Sequence, residues 1–474
     1  MGQRVSIDVH GTNDYPEDIA LSNSISKNLY DFLTETELYM EQLDTLSFYT
    51  ATELYDLLDE AAKTATMQIN NIDPELRVTV CDRLDKVLDR IVDNLPPFEN
   101  NGDKLGVYSP AIHEYRKWKN VDLLKDCGLA VYMLAKELKA TPVMYFCTKP
   151  SDYPYLDFLP DMKLLYNDFE SELEDAYKDY LLKHSADIDV IIFYGMYNQA
   201  LSYLDVYRKL RPDGKAYCGL DMNRWWIEKI SWESTPGKLF AEQCDIIATS
   251  CRLVRDTLNR NPKVQFPCRW FTNGFFNTTN NPVTADADKK SNIILTVGRI
   301  GTVEKNNEEL LSAFAQISDI IKGWNLRLVG PIEPEFRSYI NNYYTEYPHL
   351  KDRVVFTGSI IEKAKLFDEY AGAKIFALTS KNEGFPNVYA EALFHGCMFV
   401  TSDIDAADDI TNYGELGVKY LSGDTKALQD ELVDMCCKAD ITYMQNHIPK
   451  ALKYANKYYD WNRNAKKLAY MLYK

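Results

Sequence analysis

An α/β fold in two halves, with a helical region ahead of them, is what the residue pattern predicts. From about residue 104 onward, apolar runs such as 189–194 and 292–298 alternate with stretches of helical spacing. Such alternation implies parallel sheets covered by helices. A polar, turn-rich stretch over 277–291 divides the alternation in two. Ahead of it, residues 23–95 carry apolar positions at helical spacing and no strand signal.

The elements follow in order. Residues 1–22 are polar and show no periodicity. Thr50 and Glu53 have capping-box spacing before Leu54, Leu57, Leu58 and Ala61. Asp73 and Pro74 read as N-cap and first helical residue before Val78, Cys81, Leu84, Leu88 and Ile91, and Pro96 with Pro97 stops that helix. The apolar face so formed is expected to pack on the next domain; recruiting a partner is the alternative. In the first half, strands are expected at 105–108, 142–146, 189–194, 215–219 and 245–250, with helices at 127–138, 169–184, 198–210 and 251–260. In the second half, strands are expected at 292–298, 326–329, 354–356, 375–378 and 398–400, with an amphipathic last helix over 461–473. The domains are thus 1–103, helical; 104–276, completed by about 455–474; a linker over 277–291; and 292–454. A chain of 474 residues suits this number of domains.

Composition narrows the function. The net charge is −17 with no basic block, which argues against nucleic acid and against strong binding to anionic lipid. No apolar run reaches the length of a membrane span, and the first residues lack the apolar core of a signal peptide. The ten cysteines form no CxxC pair, which argues against a zinc ribbon or a redox motif, and most read as buried thiols in a reducing, cytoplasmic setting.

Two segments carry chemistry. Glu383, Gly384, Phe385, Pro386, Asn387 and Val388 lead into a helix that contains Glu391 and stops near Gly396. One acid stands on the loop, the other inside the helix. The free amides and positive dipole end of a helix start attract anions. Acids for sugar hydroxyls beside amides for phosphate suggest a nucleotide-sugar site. The plain alternatives are a dipole-stabilised carboxylate at Glu383 and a surface helix residue at Glu391. Gly298, Arg299 and Lys305 follow the first strand of the second half, where open α/β sheets collect ligands. Two cations there suit a diphosphate, although a solvated basic pair beside Glu304, Glu308 and Glu309 has the same pattern.

Together these segments resemble glycosyltransferase family 4, retaining enzymes of the GT-B fold. The resemblance rests on an ordered series: Gly298-Arg299, Lys305, Leu328-Val329-Gly330, Phe356-Thr357-Gly358, Ser380, Glu383-Gly384-Phe385-Pro386 and Glu391. It covers about 292–425 closely and 120–275 faintly, while 1–100 is an addition. It implies two Rossmann-like domains facing a cleft, and a closing helix that crosses back onto the first. Arg299 and Lys305 would hold the leaving diphosphate, Glu391 the ribose, and Glu383 the donor sugar. The amides after Gly384, through Phe385, Asn387 and Val388, would contact sugar or phosphate. No metal or other cofactor is implied.

The first half is then expected to hold the acceptor. Gly128 keeps one of the two small residues usual in the family's glycine-rich loop. Leu220 replaces a sugar-binding His before Asp221, which puts the donor-sugar contacts of this half in doubt. Asp221, Tyr194 and Tyr197 are cleft candidates. Trp225 and Trp226 read as core or interface, with stacking on a sugar as the alternative. His395 reads as a partner for the helix dipole rather than a base. The implied activity is hexosyl transfer from a nucleoside-diphosphate sugar to a glycan or lipid-linked acceptor, in polysaccharide biosynthesis and with peripheral contact at the inner membrane face. A glycosidase would leave Arg299 and Lys305 idle. A catalytically weak binding protein, using the helical region to recruit a partner, is the competing class.

Overall fold

A computed structural model of the chain describes residues 15–68, 72–98, 106–110, 123–146, 154–166, 173–232, 234–279, 283 and 285–474. The chain divides into two compact units. One runs to Asn94 and takes in Leu258–Pro267; the other holds Leu95–Thr257 and Cys268–Lys474.

The smaller unit is helical: Tyr15–Glu41, Phe48–Met67 and Pro74–Ile91. Its first helix begins inside the stretch that shows no periodicity. Helix-forming residues such as Glu17, Ala20 and Leu21 carry it without marking a face, and residues 1–14 lie outside the described part. The second helix starts earlier than the Thr50–Glu53 spacing implies. Ser47 is its N-cap, accepting from the Thr50 amide at 3.1 Å, a bond worth about 1 kcal/mol. Asp73 caps the third helix as its sequence indicates, accepting from Glu75 N at 3.0 Å. The second and third helices pack together, small Ala51, Ala62 and Ala65 allowing close approach while Leu54, Leu58, Leu84 and Leu88 fill the seam.

Arg77 is also buried in this unit. It donates to the carbonyl of Val264 at 2.9 Å and to that of Phe266. Arg260 meets Glu75 at 2.6 Å. The helices therefore enclose a piece of chain that arrives almost two hundred residues later.

The larger unit contains two parallel sheets. The first holds β1 (Gly106–Pro110), β2 (Thr141–Phe146), β3 (Lys163–Tyr166), β4 (Val190–Tyr194), β5 (Lys215–Leu220), β6 (Ile246–Thr249) and β7 (Cys268–Trp270). Their order is β3-β2-β1-β4-β5-β6-β7. The second holds β8 (Ser291–Val297), β9 (Asn325–Val329), β10 (Val354–Gly358), β11 (Ala373–Leu378), β12 (Met398–Ser402) and β13 (Gly417–Tyr420), in the order β10-β9-β8-β11-β12-β13. Strand order reverses between β1 and β4 in one sheet and between β8 and β11 in the other. Crevices open at such switch points, outside the carboxyl ends of the strands. Short β3, β7 and β13 carry too few apolar residues to announce themselves in the sequence.

Buried runs explain the central strands. Ile191, Ile192 and Phe193 of β4, and Ile375, Phe376 and Ala377 of β11, have no exposure, as expected of strands covered on both faces. The last helix, Trp461–Tyr473, packs on helix Asp126–Leu138 of the first half. The chain enters it through a bond from Phe275 N to Tyr459 O at 2.7 Å, and Asn464 then donates to Thr272 O at 3.1 Å. No helix among the described residues is long and apolar enough to cross a membrane.

Candidate functional site

The switch point of the second sheet gathers the residues singled out there. Gly298 follows β8 with φ +154° and Gly330 follows β9 with φ +146°. A side chain on Gly330 would place its Cβ 1.7 Å from the Gly298 carbonyl oxygen, so these two strand ends close up only with glycine. Arg299 is exposed beyond β8. The turn carrying Lys305 is pinned to the end of β11: Thr379 donates to the carbonyls of Lys305 and Asn306 at 3.1 and 2.9 Å, and Lys381 N bonds Glu304 O at 2.8 Å.

Glu383 sits on the loop after β11. Its Oε1 accepts from Ser380 at 3.0 Å and pairs with the Lys305 ammonium. The following helix is Asn387–Phe394, with Pro386 at its N-cap and Gly396 beyond its end at φ +68°. The side chain of Phe385 turns away into the core and stacks on Tyr459. Asn387 and Val388 are half-buried at the helix start, and the buried Asn387 Oδ1 has no hydrogen-bond partner. Glu391 projects into a separate nest: Lys363 contacts its Oε1 at 3.0 Å and Tyr370 donates to its Oε2 at 2.7 Å. Lys305 and Glu391 are thus held by different elements, with Glu383 bound to the first of them.

His395 is not a cation for the helix dipole. It is buried, and loss of solvent pushes its pKa down to about 4, against an opposing bond between Nδ1 and Glu391 O at 2.6 Å. The ring is neutral and closes the helix as a neutral hydrogen-bond partner.

The first half presents a second cluster at its own switch point. Asn273 links two elements: its Nδ2 donates to Asp126 at 3.1 Å, and its Oδ1 accepts from Tyr194 at 3.2 Å. The Tyr194 phenol is raised well above its ordinary pKa, by burial first and then by Asp126. Asp221 follows β5 and stays open to water, yet protein crowds it on the remaining sides. Burial, then Asp126, raises its pKa to about 6, with Lys125 opposing and Glu383 adding to the rise. Glu383 belongs to the second half, so the two clusters share one electrostatic field. The halves also touch here: Cys251 lies 3.2 Å from the Gly384 carbonyl, and a Cβ on Gly384 would come within 2.9 Å of Met222 O.

Other first-half candidates are placed differently. Gly128 is buried against the Leu123 carbonyl, where a Cβ would approach to 2.4 Å, so glycine serves packing at that position. Tyr197 is exposed and its ring lies over Gly195. Trp225 and Trp226 are not core residues. They are 52% and 47% exposed on the short helix Arg224–Ile227, with Lys229 over the Trp225 ring. Arg224 fixes that helix to the second half through Asp405, by its amide at 2.6 Å and its Nε at 2.8 Å. Lys363 and Tyr370 escape sequence reasoning because their partners are far along the chain and no local pattern marks them.

Residues 291–437 match the family model described as glycosyl transferases group 1. A curated protein, the capsular polysaccharide biosynthesis glycosyltransferase CapM of Staphylococcus aureus, is 26% identical over 208 residues, covering 40% of this chain and 51% of CapM. The chain therefore spans about half the length of the curated relative it matches. Among solved structures, sucrose-phosphate synthase from Thermosynechococcus elongatus superposes with a TM-score of 0.58 at 18% identity, covering 77% of this chain and 97% of that one. HepE of Anabaena, in complex with UDP and glucose, gives a TM-score of 0.56 at 14% identity, with 78% and 99% covered. The fold is GT-B, and its second half carries the signature of the group 1 glycosyl transferases.

Proposed function

We propose that the chain is a retaining glycosyltransferase that moves a hexosyl group from a nucleoside-diphosphate sugar to an acceptor hydroxyl. The observation that carries this reading is the pairing of Lys305 with Glu383 beyond the carboxyl ends of β8 and β11, with exposed Arg299 next to the first strand end and Glu391 on the helix that follows the Glu383 loop. Arg299 and Lys305 are assigned to the diphosphate, Glu391 to the ribose and Glu383 to the sugar, with the amides of Gly384, Phe385, Asn387 and Val388 assigned to sugar or phosphate.

In the reaction the bond between the sugar C1 and the phosphate oxygen breaks, and its electron pair leaves with the diphosphate. The acceptor oxygen bonds to C1 on the same face, and its proton passes to the leaving phosphate or to water. Fixed cations stabilise the charge gathering on the diphosphate, without need of a metal. The acceptor is assigned to the first-half cluster of Asp126, Tyr194 and Asp221, with exposed Tyr197 and Trp225 as further candidates of that half. The CapM likeness favours a cell-surface polysaccharide or its lipid-linked precursor as acceptor, at the inner membrane face. The UDP complex of HepE makes UDP-sugars the first donors to try.

Donor hydrolysis tests the reading. Purified chain is incubated with a panel of nucleoside-diphosphate hexoses without acceptor, and released nucleotide is measured. Release from one donor is expected, along with calorimetric binding of its nucleoside diphosphate. No binding of any nucleoside diphosphate at millimolar concentration would leave the scaffold reading in its place.

A further inference from the structure

Glu391 is already engaged at both oxygens, and its two partners come from one helix. Helix Lys363–Gly372 presents Lys363 from its first residue and Tyr370 about two turns later, on the same face. The ammonium contacts Oε1 at 3.0 Å and the phenol donates to Oε2 at 2.7 Å. Tyr370 has no exposure, and its ring lies against His395, whose own ring is tied to the Glu391 carbonyl. Below it, the buried Lys290 ammonium donates to the carbonyls of Ala373 at 2.6 Å and Tyr370 at 3.3 Å. The phenol therefore has a fixed position and a fixed acceptor.

Lys363 is equally committed. Burial works against its charge, but Glu391 outweighs burial and holds the ammonium above its ordinary pKa. Its side chain is 19% exposed and that of Glu391 is 16% exposed, so a narrow opening remains at the pair.

A carboxylate offers about four lone-pair directions. The two protein donors take one on each oxygen and leave one on each. One acceptor direction left on each oxygen matches two adjacent hydroxyls, one for Oε1 and one for Oε2. We propose that Lys363 and Tyr370 are positioning residues that clamp Glu391 for a vicinal diol, and so set a preference for ribonucleotides over 2′-deoxyribonucleotides. The proposal rests on the assignment of Glu391 to the donor's ribose. Without the clamp the carboxylate rotates, and one hydroxyl loses its aligned acceptor. A polar site built for a hydroxyl rejects an analogue that lacks it; a rotating carboxylate discriminates less.

The test is calorimetric titration with UDP and with 2′-deoxy-UDP, and with the GDP, ADP and CDP pairs, against wild type, Tyr370→Phe and Lys363→Gln. For the nucleotide that binds, wild type is expected to favour the ribo form by about tenfold or more. Each variant is expected to weaken the ribo form several-fold, leave the deoxy form nearly unchanged, and so narrow the ratio. A general loss of structure would weaken both forms alike, so the ratio separates positioning from folding; circular dichroism checks each variant. An unchanged ratio in both variants overturns the clamp. Equal wild-type binding of the two forms also overturns it. Failure of wild type to bind any nucleoside diphosphate overturns instead the functional reading beneath it.

Discussion

Lys305 and Glu383 hold each other at the switch point of the second sheet, one from the turn after β8 and one from the loop after β11. They are assigned to different parts of the donor, so an arriving diphosphate competes with a carboxylate for the same ammonium. Lys305→Ala is expected to lower turnover on the order of 10²–10³, as loss of one transition-state donor does elsewhere. Glu383→Gln is expected to behave oppositely in binding: free nucleoside diphosphate binds several-fold tighter in calorimetry while sugar transfer falls. Weaker nucleotide binding in Glu383→Gln would mean that the ion pair helps to build the phosphate site.

Asp221 gives a pH signature in stability. Its folded pKa of about 6 lies above the ordinary 3.8, so the folded state binds the proton more tightly. Its destabilising effect is absent below about pH 4, develops as pH rises to 6, and persists above. Asp221→Asn is therefore expected to raise the melting temperature at pH 7.5 and leave it unchanged near pH 4. The gain is on the order of 1 kcal/mol, less than the full shift would give, because the carboxyl stays open to water. Urea unfolding at the two pH values measures it.

Arg252 and Asp409 form a buried ion pair between the halves. The guanidinium meets Oδ1 at 2.8 Å and lies 3.6 Å from the Trp270 ring centre, while the Asp409 side chain is 2% exposed. Arg252→Ala leaves that carboxylate with the backbone amide of residue 252 at 2.8 Å as its remaining donor, and is expected to cost about 3 kcal/mol. Adding Asp409→Asn is expected to return part of the loss. A double variant no more stable than the single one would show that stacking on Trp270, rather than charge, carries the contribution of Arg252.

Gly330→Ala tests the closeness of two strand ends. The new methyl would meet the Gly298 carbonyl, at a backbone angle that L-residues rarely adopt. Loss of nucleotide binding is expected together with a lowered melting temperature. Gly423→Ala is the control: it shares a positive φ but has open space around it.

Periodicity made the long elements legible. Residues 198–210 and 461–473 come out with the bounds that their apolar spacing indicates. Lys305 and Glu383, marked in the sequence by one ordered series of motifs, meet in the structure, whereas Glu391 of the same series lies on the following helix with other partners. Three kinds of feature were not legible. Short strands such as Cys268–Trp270 have no room for a pattern. The Ser47 cap competes with a second plausible signal three residues on. Tyr370 acts through a partner brought near only by the folded sheet, and Trp225 owes its exposure to the anchoring of its helix by Arg224, which residue type alone does not disclose.

The bonds from Arg77 to the carbonyls of Val264 and Phe266 bear on how the protein is born. The helix that carries Arg77 is made well before its partners, for the stretch of backbone it closes around follows six strands of the first sheet. During synthesis a buried guanidinium waits for its acceptors, and the early helices remain an unfinished clasp. Their completion is then an arrival signal for residue 267: the amino-terminal region locks only once translation has passed β6 and the helix after it.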